Sequence, residues 1–179
     1  MNTSEAKGAV EKWLLQVERV MLMSIRDVIE AARTAYAIDA RNNWVQEWPG
    51  QVVLCVSQIY WTIEVQEALK SAPQGMRDYL VKLNDQLGNV VKLVRGKLSM
   101  MTRITLGALV VVDVHARDVV VEMISKNVVN ENDFNWLSQL RYYWEDSNCR
   151  VRITNAAVKY CYEYLGNTPR FVVPLMWLF

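Results

Sequence analysis

Residues Ile104–Trp144, ITLGALVVVDVHARDVVVEMISKNVVNENDFNWLSQLRYYW, combine a long apolar segment with a tight cluster of charged side chains. Apolar residues recur at helical spacing, and no turn residue interrupts them between Ala108 and Lys126. The valine runs in this segment favour a strand instead, because β-branched side chains fit a pleated sheet. An ordinary strand is much shorter, so the pattern predicts a helix from about Thr102 to Lys126 that packs against more than one neighbour.

The charged cluster in this helix consists of Asp113, His115, Arg117 and Asp118. Asp113 and Arg117 stand four positions apart with the acid first, which is the favourable order for an ion pair along one helix face. We expect that pair to be partly buried and to fix packing between elements rather than to perform chemistry. His115 is the one histidine of the chain, and on a mostly apolar helix we expect it to be a hydrogen-bonded structural residue.

The second half of the quoted stretch is rich in tryptophan and tyrosine. Its spacing predicts a short amphipathic helix from Asp133 to Trp144, with Asn130 or Asn132 as the N-cap. We expect this aromatic block to join the helices to the segment that follows. The side chains expected to pack at that junction are Trp136, Arg141, Tyr142 and Trp144.

Two elements are predicted near the start of the chain. Apolar residues from Ala9 onward are spaced by threes and fours, which predicts a long amphipathic helix. Residues 39–50 are interpreted as a connector, because the Pro49-Gly50 pair interrupts any regular pattern there.

Two further helices are predicted before the quoted stretch. One covers Gln51–Leu69, although its opening residues VVLCV could also form a strand. The other covers Met76–Met101 and has the most regular pattern of the chain, with steps of four and three that are typical of a helix packed along a partner. Gly96 weakens this helix and is expected to mark a bend or a close approach.

The character of the sequence changes after Trp144. Glu145–Asn148 is typical of a turn, and Cys149–Ile153 alternates apolar and charged residues as a half-buried strand does. Val158–Leu165 can form a second strand, so a hairpin is predicted. The last residues, FVVPLMWLF, are almost wholly apolar and are expected to fold back onto the helices, unless they mark the start of a larger structure.

Together these patterns predict a mainly-α fold, an elongated multi-helix bundle with a C-terminal β-hairpin. The chain has 179 residues, which is enough for one hydrophobic core. We place a helical unit at residues 1–147, and the hairpin with the segment leading out of it at residues 148–179.

Composition argues against several classes of protein. A net charge of +1 gives no electrostatic footprint for nucleic acid or for an anionic membrane. The polar N-terminus lacks a signal-peptide core, and the longest apolar run, about nine residues, is far below the roughly 20 that span a bilayer. Three cysteines, Cys55, Cys149 and Cys161, lie far apart in sequence, which favours reduced thiols in a cytosolic protein.

No motif for catalysis or for cofactor binding is complete. A zinc site needs several histidine or cysteine ligands at close spacing, and no cysteine lies near His115 in sequence. There is no Gly-x-Ser-x-Gly nucleophile motif, although a triad that assembles in space stays open as an alternative. Arg95–Ser99 fails as a phosphate loop, because the residue after Lys97 is leucine and the segment lies within a helical pattern. We therefore predict no catalytic, cofactor-binding or metal-binding residue.

Seven short blocks of the sequence carry a resemblance to a known family. Taken in order they are WPGQVVL (48–54), QIYW (58–61), LVRGKL (93–98), DVHARD (113–118), DFNW (133–136), QLRYYW (139–144) and YEYLGNTPR (162–170). Each block is weak alone, but together and in this order they are highly specific. The chain resembles the C-terminal part of the linker of a dynein heavy chain, most of all the axonemal ones, from about Trp13 to Arg170.

In that family the linker is a helical arm that lies across a ring of AAA+ modules and bends with the nucleotide state of the ring. The resemblance therefore implies a force-transmitting segment, with the AAA+ ring and other dynein subunits as partners, in the cytoplasm at the axoneme of a cilium. It implies no cofactor, no ATPase activity and no direct microtubule binding by this segment. Tyr164 joins the residues of structural interest, because its turn leads into the first AAA+ module of the family.

Two departures from the family pattern affect what the resemblance implies. Cys161 stands where glycine is usual, and the Pro-Leu-Thr-Asp-Arg stretch and AAA+ module that follow Arg170 in the family are missing here. We therefore expect a product that is truncated or alternatively ended before the first AAA+ module. One alternative is a stand-alone helical interaction or scaffold protein, and another is a small hydrolase that uses His115.

Overall fold

The computed structural model describes residues 9–164, which form six helices followed by a three-stranded antiparallel sheet in the order β1-β2-β3. The elements are α1 (Val10–Tyr36), α2 (Arg41–Glu47), α3 (Gly50–Lys70), α4 (Gln74–Val94), α5 (Met100–Ser125), α6 (Phe134–Leu137), β1 (Arg141–Glu145), β2 (Asn148–Ile153) and β3 (Ala156–Lys159). The predicted mainly-α bundle with a C-terminal hairpin is confirmed, and a third strand extends the hairpin. Across 9–164, no helix is both long and apolar enough to cross a membrane.

Helix α3 occupies the centre of the fold, and α1, α4, α5 and β1 all pack against it. Successive residues such as Val52 and Val53 are both buried, so the helix is enclosed on more than one side. A helix that is apolar all round needs neighbours all round, which explains this central position. The strand alternative for its opening residues is wrong, because they form the first turns of α3.

The long helix predicted near Thr102–Lys126 is confirmed as α5, which packs against both α3 and α4. Its first turn is capped by Ser99, whose hydroxyl oxygen accepts a hydrogen bond from the Thr102 backbone N–H at 3.1 Å. The valine runs are compatible with a helix here because Val119 and Val120 are buried against neighbouring elements, and this packing outweighs their β-propensity.

The helix predicted over Met76–Met101 is wrong beyond Val94, where α4 ends. The bend at Gly96 is confirmed, since its backbone N–H turns back to donate to the Leu93 carbonyl at 2.9 Å. The Arg103 guanidinium closes the break by donating to the carbonyl oxygens of Val94 at 2.8 Å and of Gly96 at 3.2 Å. These bonds pair backbone groups that a helix end leaves open.

Part of the predicted connector before Pro49 is helical instead. Helix α2 is too short to be stable alone, so it depends on burial of Trp44. The Trp44 indole N–H donates to the Ala32 carbonyl at 2.9 Å, and its ring meets Tyr36 edge-on at 4.8 Å. The helix ends where Trp48 adopts an extended conformation, as a residue before proline prefers.

The short helix predicted from Asp133 to Trp144 is wrong over its second half, which forms β1. This strand pairs antiparallel with β2, and Tyr142 lies opposite Val151. Aromatic side chains fit a pleated surface, and β2 supplies partners for the backbone groups of β1. The helical spacing is therefore overridden by a strand partner that lies later in the chain.

The N-cap of α6 also differs from the prediction. The Asp133 carboxylate accepts a hydrogen bond from the Asn135 backbone N–H at 2.8 Å, so neither Asn130 nor Asn132 is the cap. Asp133 immediately precedes the first helical residue, which is the position that an N-cap requires.

The sheet begins earlier and ends earlier than predicted. The expected turn at Glu145–Asn148 is confirmed and connects β1 to β2, with Asp146 and Ser147 at φ values of 50° and 55° as a two-residue hairpin turn needs. The strand predicted at Val158–Leu165 is wrong at both ends, since β3 covers Ala156–Lys159 and residues 160–164 lack strand structure. The predicted lead-out after Tyr164 and the apolar last residues lie outside the described part of the chain.

The hydrophobic core consists of two clusters along the length of α3. The first joins α1, α2, the start of α3 and of α5, the end of α4, and the sheet; its fully buried members include Ile29, Trp44, Ile59, Leu106 and Leu109. The second joins the end of α3 to α4, the second half of α5 and α6; its buried members include Trp61, Met76, Tyr79, Met123 and Trp136. Because α3 contributes to both clusters, it connects the sheet to the far end of the bundle.

Candidate functional site

The most buried ion pair among the described residues joins α2 to α5. Nη2 of Arg41 lies 2.9 Å from both carboxylate oxygens of Asp113, and the two side chains are only 13% and 14% exposed. The predicted pairing of Asp113 with Arg117 is wrong. Arg117 points toward the surface and binds the neighbouring Asp118 at 2.6 Å, because Asp113 faces the interior, where α2 lies.

The surroundings of this pair shift its ionisation. Burial raises the pKa of the Asp113 carboxyl above its ordinary value, and the Arg41 charge opposes that rise. Burial lowers the pKa of Arg41, but Asp113 and the Tyr36 hydroxyl outweigh this effect and leave the value above ordinary. Nε and Nη1 of Arg41 have no hydrogen-bond partner within residues 9–164, and a cavity of about 20 Å³ beside them has room for one water molecule. We interpret the pair as a fixed connection between two helices.

His115 lies on the exposed side of α5, at the wall of a pocket described below. Its ring makes no hydrogen bond to any residue of the range 9–164, so the expected hydrogen bond is not seen there and the structural role stays a prediction. The physical reason for its exposure is the helical period, since the buried face of α5 at this level is formed by Ala116 and Val119.

Trp136 anchors α6 in the second core cluster. Its ring is fully buried and meets Trp61 of α3 edge-on, with 5.3 Å between ring centroids. The guanidinium of Arg141 lies 5.9 Å from the Trp136 ring centroid. Arg141 is a buried residue, with only 6% of its surface exposed. Arg141 also reaches the Thr154 carbonyl at 3.4 Å, a long hydrogen bond that touches the end of β2. The structure thus brings together two residues that the sequence predicts for this junction.

The backbone of β1 is attached directly to α3 by a buried threonine. The Thr62 hydroxyl accepts a hydrogen bond from the Tyr142 backbone N–H at 3.0 Å and donates to the Gln58 carbonyl at 2.9 Å. Thr62 is completely buried, so this N–H has little access to water. Sequence reasoning missed Thr62, because a threonine in a helical pattern gives no sign of a strand 80 residues away.

Other predicted residues lie at the edges of the same junction. The Arg33 guanidinium of α1 lies 5.3 Å above the Trp144 ring, so the strand also contacts the first helix. Tyr164 is 61% exposed and forms part of a second, more polar pocket. The chain before it is held by Gln51, whose amide donates to the Tyr160 hydroxyl at 3.1 Å and to the Glu163 carbonyl at 2.8 Å. Gln51 was missed for the same reason as Thr62.

A pocket with a volume of about 580 Å³ lies between α3, α5 and the sheet. Its walls are mostly apolar, with Trp61, Val112 and Leu140 among them, and a few polar side chains, including Gln58 and His115. This pocket lies on one side of the junction, and Tyr142 forms part of both.

The described residues offer neither a metal-binding cluster nor an activated cysteine nucleophile. Within residues 9–164 no group of three or more His, Cys, Asp or Glu side chains could hold a metal ion. The Cys55 thiol lines the large pocket, but its hydrogen bond with Cys149 and its burial raise its pKa, which is the opposite of activation as a nucleophile. The buried polar and aromatic contacts instead connect helices to one another and to the sheet.

Comparison with known proteins agrees with the resemblance seen in the sequence. No protein-family model matches the chain. Over 173 residues it is 62% identical to "Dynein axonemal heavy chain 12" of Mus musculus, a match that covers 97% of this chain and 6% of that protein. It is 55% identical over 170 residues to "Dynein axonemal heavy chain 3" of Homo sapiens, covering 95% and 4% of the two chains.

A third relative, "Dynein axonemal heavy chain 1" of Homo sapiens, is 51% identical over 165 residues, covering 92% of this chain and 4% of the relative. The chain thus spans only 4–6% of the length of the relatives that it matches. Nearly all of the chain is therefore similar to one short segment of much longer proteins.

Proposed function

Almost the whole chain is homologous to a segment of the axonemal dynein heavy chains, and on that premise we propose that it acts as a mechanical segment of such a motor, the C-terminal part of its linker. The proposed partners are the AAA+ ring and the other subunits of a dynein complex. The proposed location is the cytoskeleton of a ciliary axoneme, in the cytoplasm.

One observation supports this proposal above the others. Helix α3 contacts α1, α4, α5 and β1, so a displacement of the sheet is passed through one buried helix to the whole bundle. The Thr62–Tyr142 bond, at 3.0 Å, attaches that helix to the backbone of the first strand. A backbone attachment resists sliding better than side-chain packing does, because it has a defined direction and length.

The Arg41–Asp113 pair and the Trp61–Trp136 contact support the same role. Each joins elements that are distant in sequence, and each is wholly or largely shielded from solvent, so water weakens it less than it weakens a surface contact. A segment with several such connections transmits force as a rigid body. We propose the division that the sequence suggests, at residues 1–147 and 148–179, although β1 (Arg141–Glu145) places the first strand of the sheet in the first of these units.

We further propose that the segment has no ATPase activity and does not bind microtubules directly. The purified chain should release no phosphate from ATP above background, and it should stay in the supernatant when microtubules are sedimented. Measurable turnover that copurifies with the chain through a final sizing column would contradict the first statement. Saturable cosedimentation would contradict the second.

The mechanical role is tested in a complete motor. We would replace the aligned segment of an axonemal dynein heavy chain by this chain's 173 aligned residues and measure both ATP turnover and microtubule gliding. The exchanged motor should glide, and Thr62→Val in it should lower gliding velocity while ring ATPase persists. Val158→Thr, at a 58% exposed position of the sheet, is the matched control and should change neither quantity.

Two results would overturn the mechanical proposal. One is an exchanged motor in which a flexible glycine-serine linker of equal length supports the same gliding velocity. The other is a Thr62→Val motor that loses ATPase and gliding in equal proportion, since that result means a folding defect of the ring rather than a weakened joint.

A stand-alone interaction protein remains the second candidate, and the first helix favours it. Val10, Leu14 and Leu15 are 61%, 53% and 65% exposed, so the N-terminal part of α1 presents apolar side chains to solvent. A stand-alone protein should be a stable monomer or a defined oligomer by light scattering. Aggregation of the purified chain, relieved by Leu14→Gln with Leu15→Gln, would instead mean that α1 needs a cover from a longer polypeptide.

A further inference from the structure

Two free cysteines meet in the core between the bundle and the sheet. Cys55 of α3 and Cys149 of β2 are separated by 94 positions, yet their Sγ atoms lie 3.8 Å apart. Both side chains are buried. We propose that this pair is a covalent modification site, at which hydrogen peroxide converts the two thiols into an intramolecular disulfide that joins α3 to β2. The proposal does not depend on the function proposed above.

The backbone on both sides of the pair is held in place. The Cys149 N–H donates to the Tyr162 hydroxyl at 2.6 Å, and its carbonyl accepts from the Tyr160 N–H at 3.0 Å. Cys55 lies within the first turns of a buried helix. A disulfide requires the sulfur atoms to approach to about 2 Å, so the two Sγ atoms must come about 2 Å closer than they lie here.

The surroundings give the two thiols different access to solvent. Cys55 forms part of the wall of the 580 Å³ pocket between α3, α5 and the sheet, whereas Cys149 does not line that pocket. Hydrogen peroxide is little larger than water and enters a pocket of this size. Cys55 is therefore the thiol that peroxide meets first, and Cys149 is the thiol placed to complete the reaction.

The reaction balances as two steps. The Cys55 thiolate attacks one oxygen of peroxide, the O–O bond breaks, and a sulfenic acid and hydroxide form, with the thiol proton leaving as part of water. Cys149 sulfur then attacks the Cys55 sulfur, the S–OH bond breaks, and the second water leaves with the Cys149 proton. Two thiols are oxidised by two electrons in total, and one peroxide is reduced to two water molecules.

The local chemistry sets the rate. The hydrogen bond with Cys149 and burial both raise the pKa of the Cys55 thiol, so little thiolate is present at neutral pH. Disulfide formation should therefore be slow at pH 7 and faster as the pH rises, because the thiolate is the nucleophile. Cys161 is exposed and should react faster with an alkylating reagent, which separates its behaviour from that of the buried pair.

The test uses the full chain with Cys161→Ser, so that no exposed thiol can form intermolecular bridges. The reduced protein is treated with hydrogen peroxide, denatured, alkylated with N-ethylmaleimide and weighed by mass spectrometry. We expect a species 2 Da lighter than the reduced chain and without alkyl groups, and a tryptic peptide that links Cys55 to Cys149. The disulfide closes a long loop, so the midpoint of thermal unfolding should rise by about 5–10 °C and return with dithiothreitol.

Two variants test the order of the reaction. With Cys149→Ser, the sulfenic acid should stay at Cys55 and be trapped by dimedone; with Cys55→Ser, Cys149 should remain a thiol. Recovery of both thiols in alkylated form from the peroxide-treated parent, or oxidation of Cys55 to the sulfinic acid without a cross-link, would overturn the proposal. The parent measurement is decisive even where a serine variant fails to fold.

Discussion

Arg41 and Asp113 are 72 positions apart in sequence, yet one guanidinium nitrogen of Arg41 lies 2.9 Å from both carboxylate oxygens of Asp113. The connection ties the seven-residue helix α2 to the middle of α5. Helix α2 has few residues with which to hold its own position, so a fixed charge pair contributes more here than it would on a long helix. The spacing of the sequence suggests a different partner for Asp113, namely Arg117.

The first prediction concerns that pair. Arg41→Met should lower the free energy of unfolding by about 3 kcal/mol, because it leaves the largely buried Asp113 carboxylate without its partner. Arg117→Met should change it by less than about 0.5 kcal/mol, because Arg117 binds the exposed Asp118. Urea unfolding followed by circular dichroism measures both values.

A double-mutant cycle then isolates the interaction itself. Asp113→Asn combined with Arg41→Met should give a coupling energy of about 2 kcal/mol, whereas Asp113→Asn with Arg117→Met should give about zero. Equal coupling in the two cycles would mean that Asp113 shares its charge with Arg117 in solution.

The second prediction concerns Trp136. Its ring is fully buried against Trp61, so Trp136→Ala should lower the free energy of unfolding by about 3–5 kcal/mol through lost burial and a new cavity. Phe134 lies in the same short helix but is 71% exposed, and Phe134→Ala should cost less than about 0.5 kcal/mol. Thermal unfolding of the two variants provides the comparison, and similar losses would show that α6 matters more than the Trp136 contact.

The third prediction concerns the attachment of β1 to α3. Thr62→Val keeps the volume but removes the acceptor of the buried Tyr142 N–H, so it should cost about 1–3 kcal/mol. Thr62→Ser keeps the hydroxyl and loses one methyl group, so it should cost about 1 kcal/mol. Hydrogen exchange gives the local readout: the Tyr142 amide should exchange faster in Thr62→Val and at the parent rate in Thr62→Ser.

The fourth prediction concerns alkaline pH. Burial raises the pKa of Tyr160 to about 12, although its hydrogen bond with Gln51 lowers it. A pKa above the unfolded value of roughly 10 means that the folded state holds the proton more tightly. Its contribution to stability is therefore complete below about pH 10 and is lost as the pH rises toward 12.

Tyr160→Phe should remove this dependence. The parent should lose about 1 kcal/mol more than the variant between pH 10 and 12, a modest amount because part of the ring is exposed to solvent. Urea unfolding at several pH values measures the difference. Parallel stability curves for the two proteins would mean that the Tyr160 hydroxyl ionises equally in the folded and unfolded states.

Long periodic segments are predictable from sequence because their information is local. The patterns of α1, α3 and α5 repeat over many turns, and the short blocks within them are sufficient to indicate the dynein heavy chains. Short segments are not predictable in the same way. Helix α2 depends on burying Trp44, and β1 depends on pairing with β2, which its own spacing does not reveal.

The residues of the candidate site also differ in how far the sequence predicts them. Trp136 and Arg141 are predictable as packing residues because large aromatic and guanidinium side chains in one block need a packing partner. Thr62 and Gln51 are not, since a polar residue in a helical pattern is equally compatible with solvent and with a distant strand. Asp113 pairs with Arg41, which no local spacing reveals, and not with the Arg117 that the helical spacing suggests.

Hydrophobic period and turn residues therefore determine which stretches of this chain are long helices, since neighbouring residues carry that information. Only the tertiary structure decides three other features: the partner of Asp113, the strand formed by residues 141–145, and the contact between Cys55 and Cys149. Each depends on groups that are distant in sequence, and the two thiols, for example, are 94 positions apart. Such contacts exist only in the folded chain, because folding brings those groups together and keeps water from competing with them.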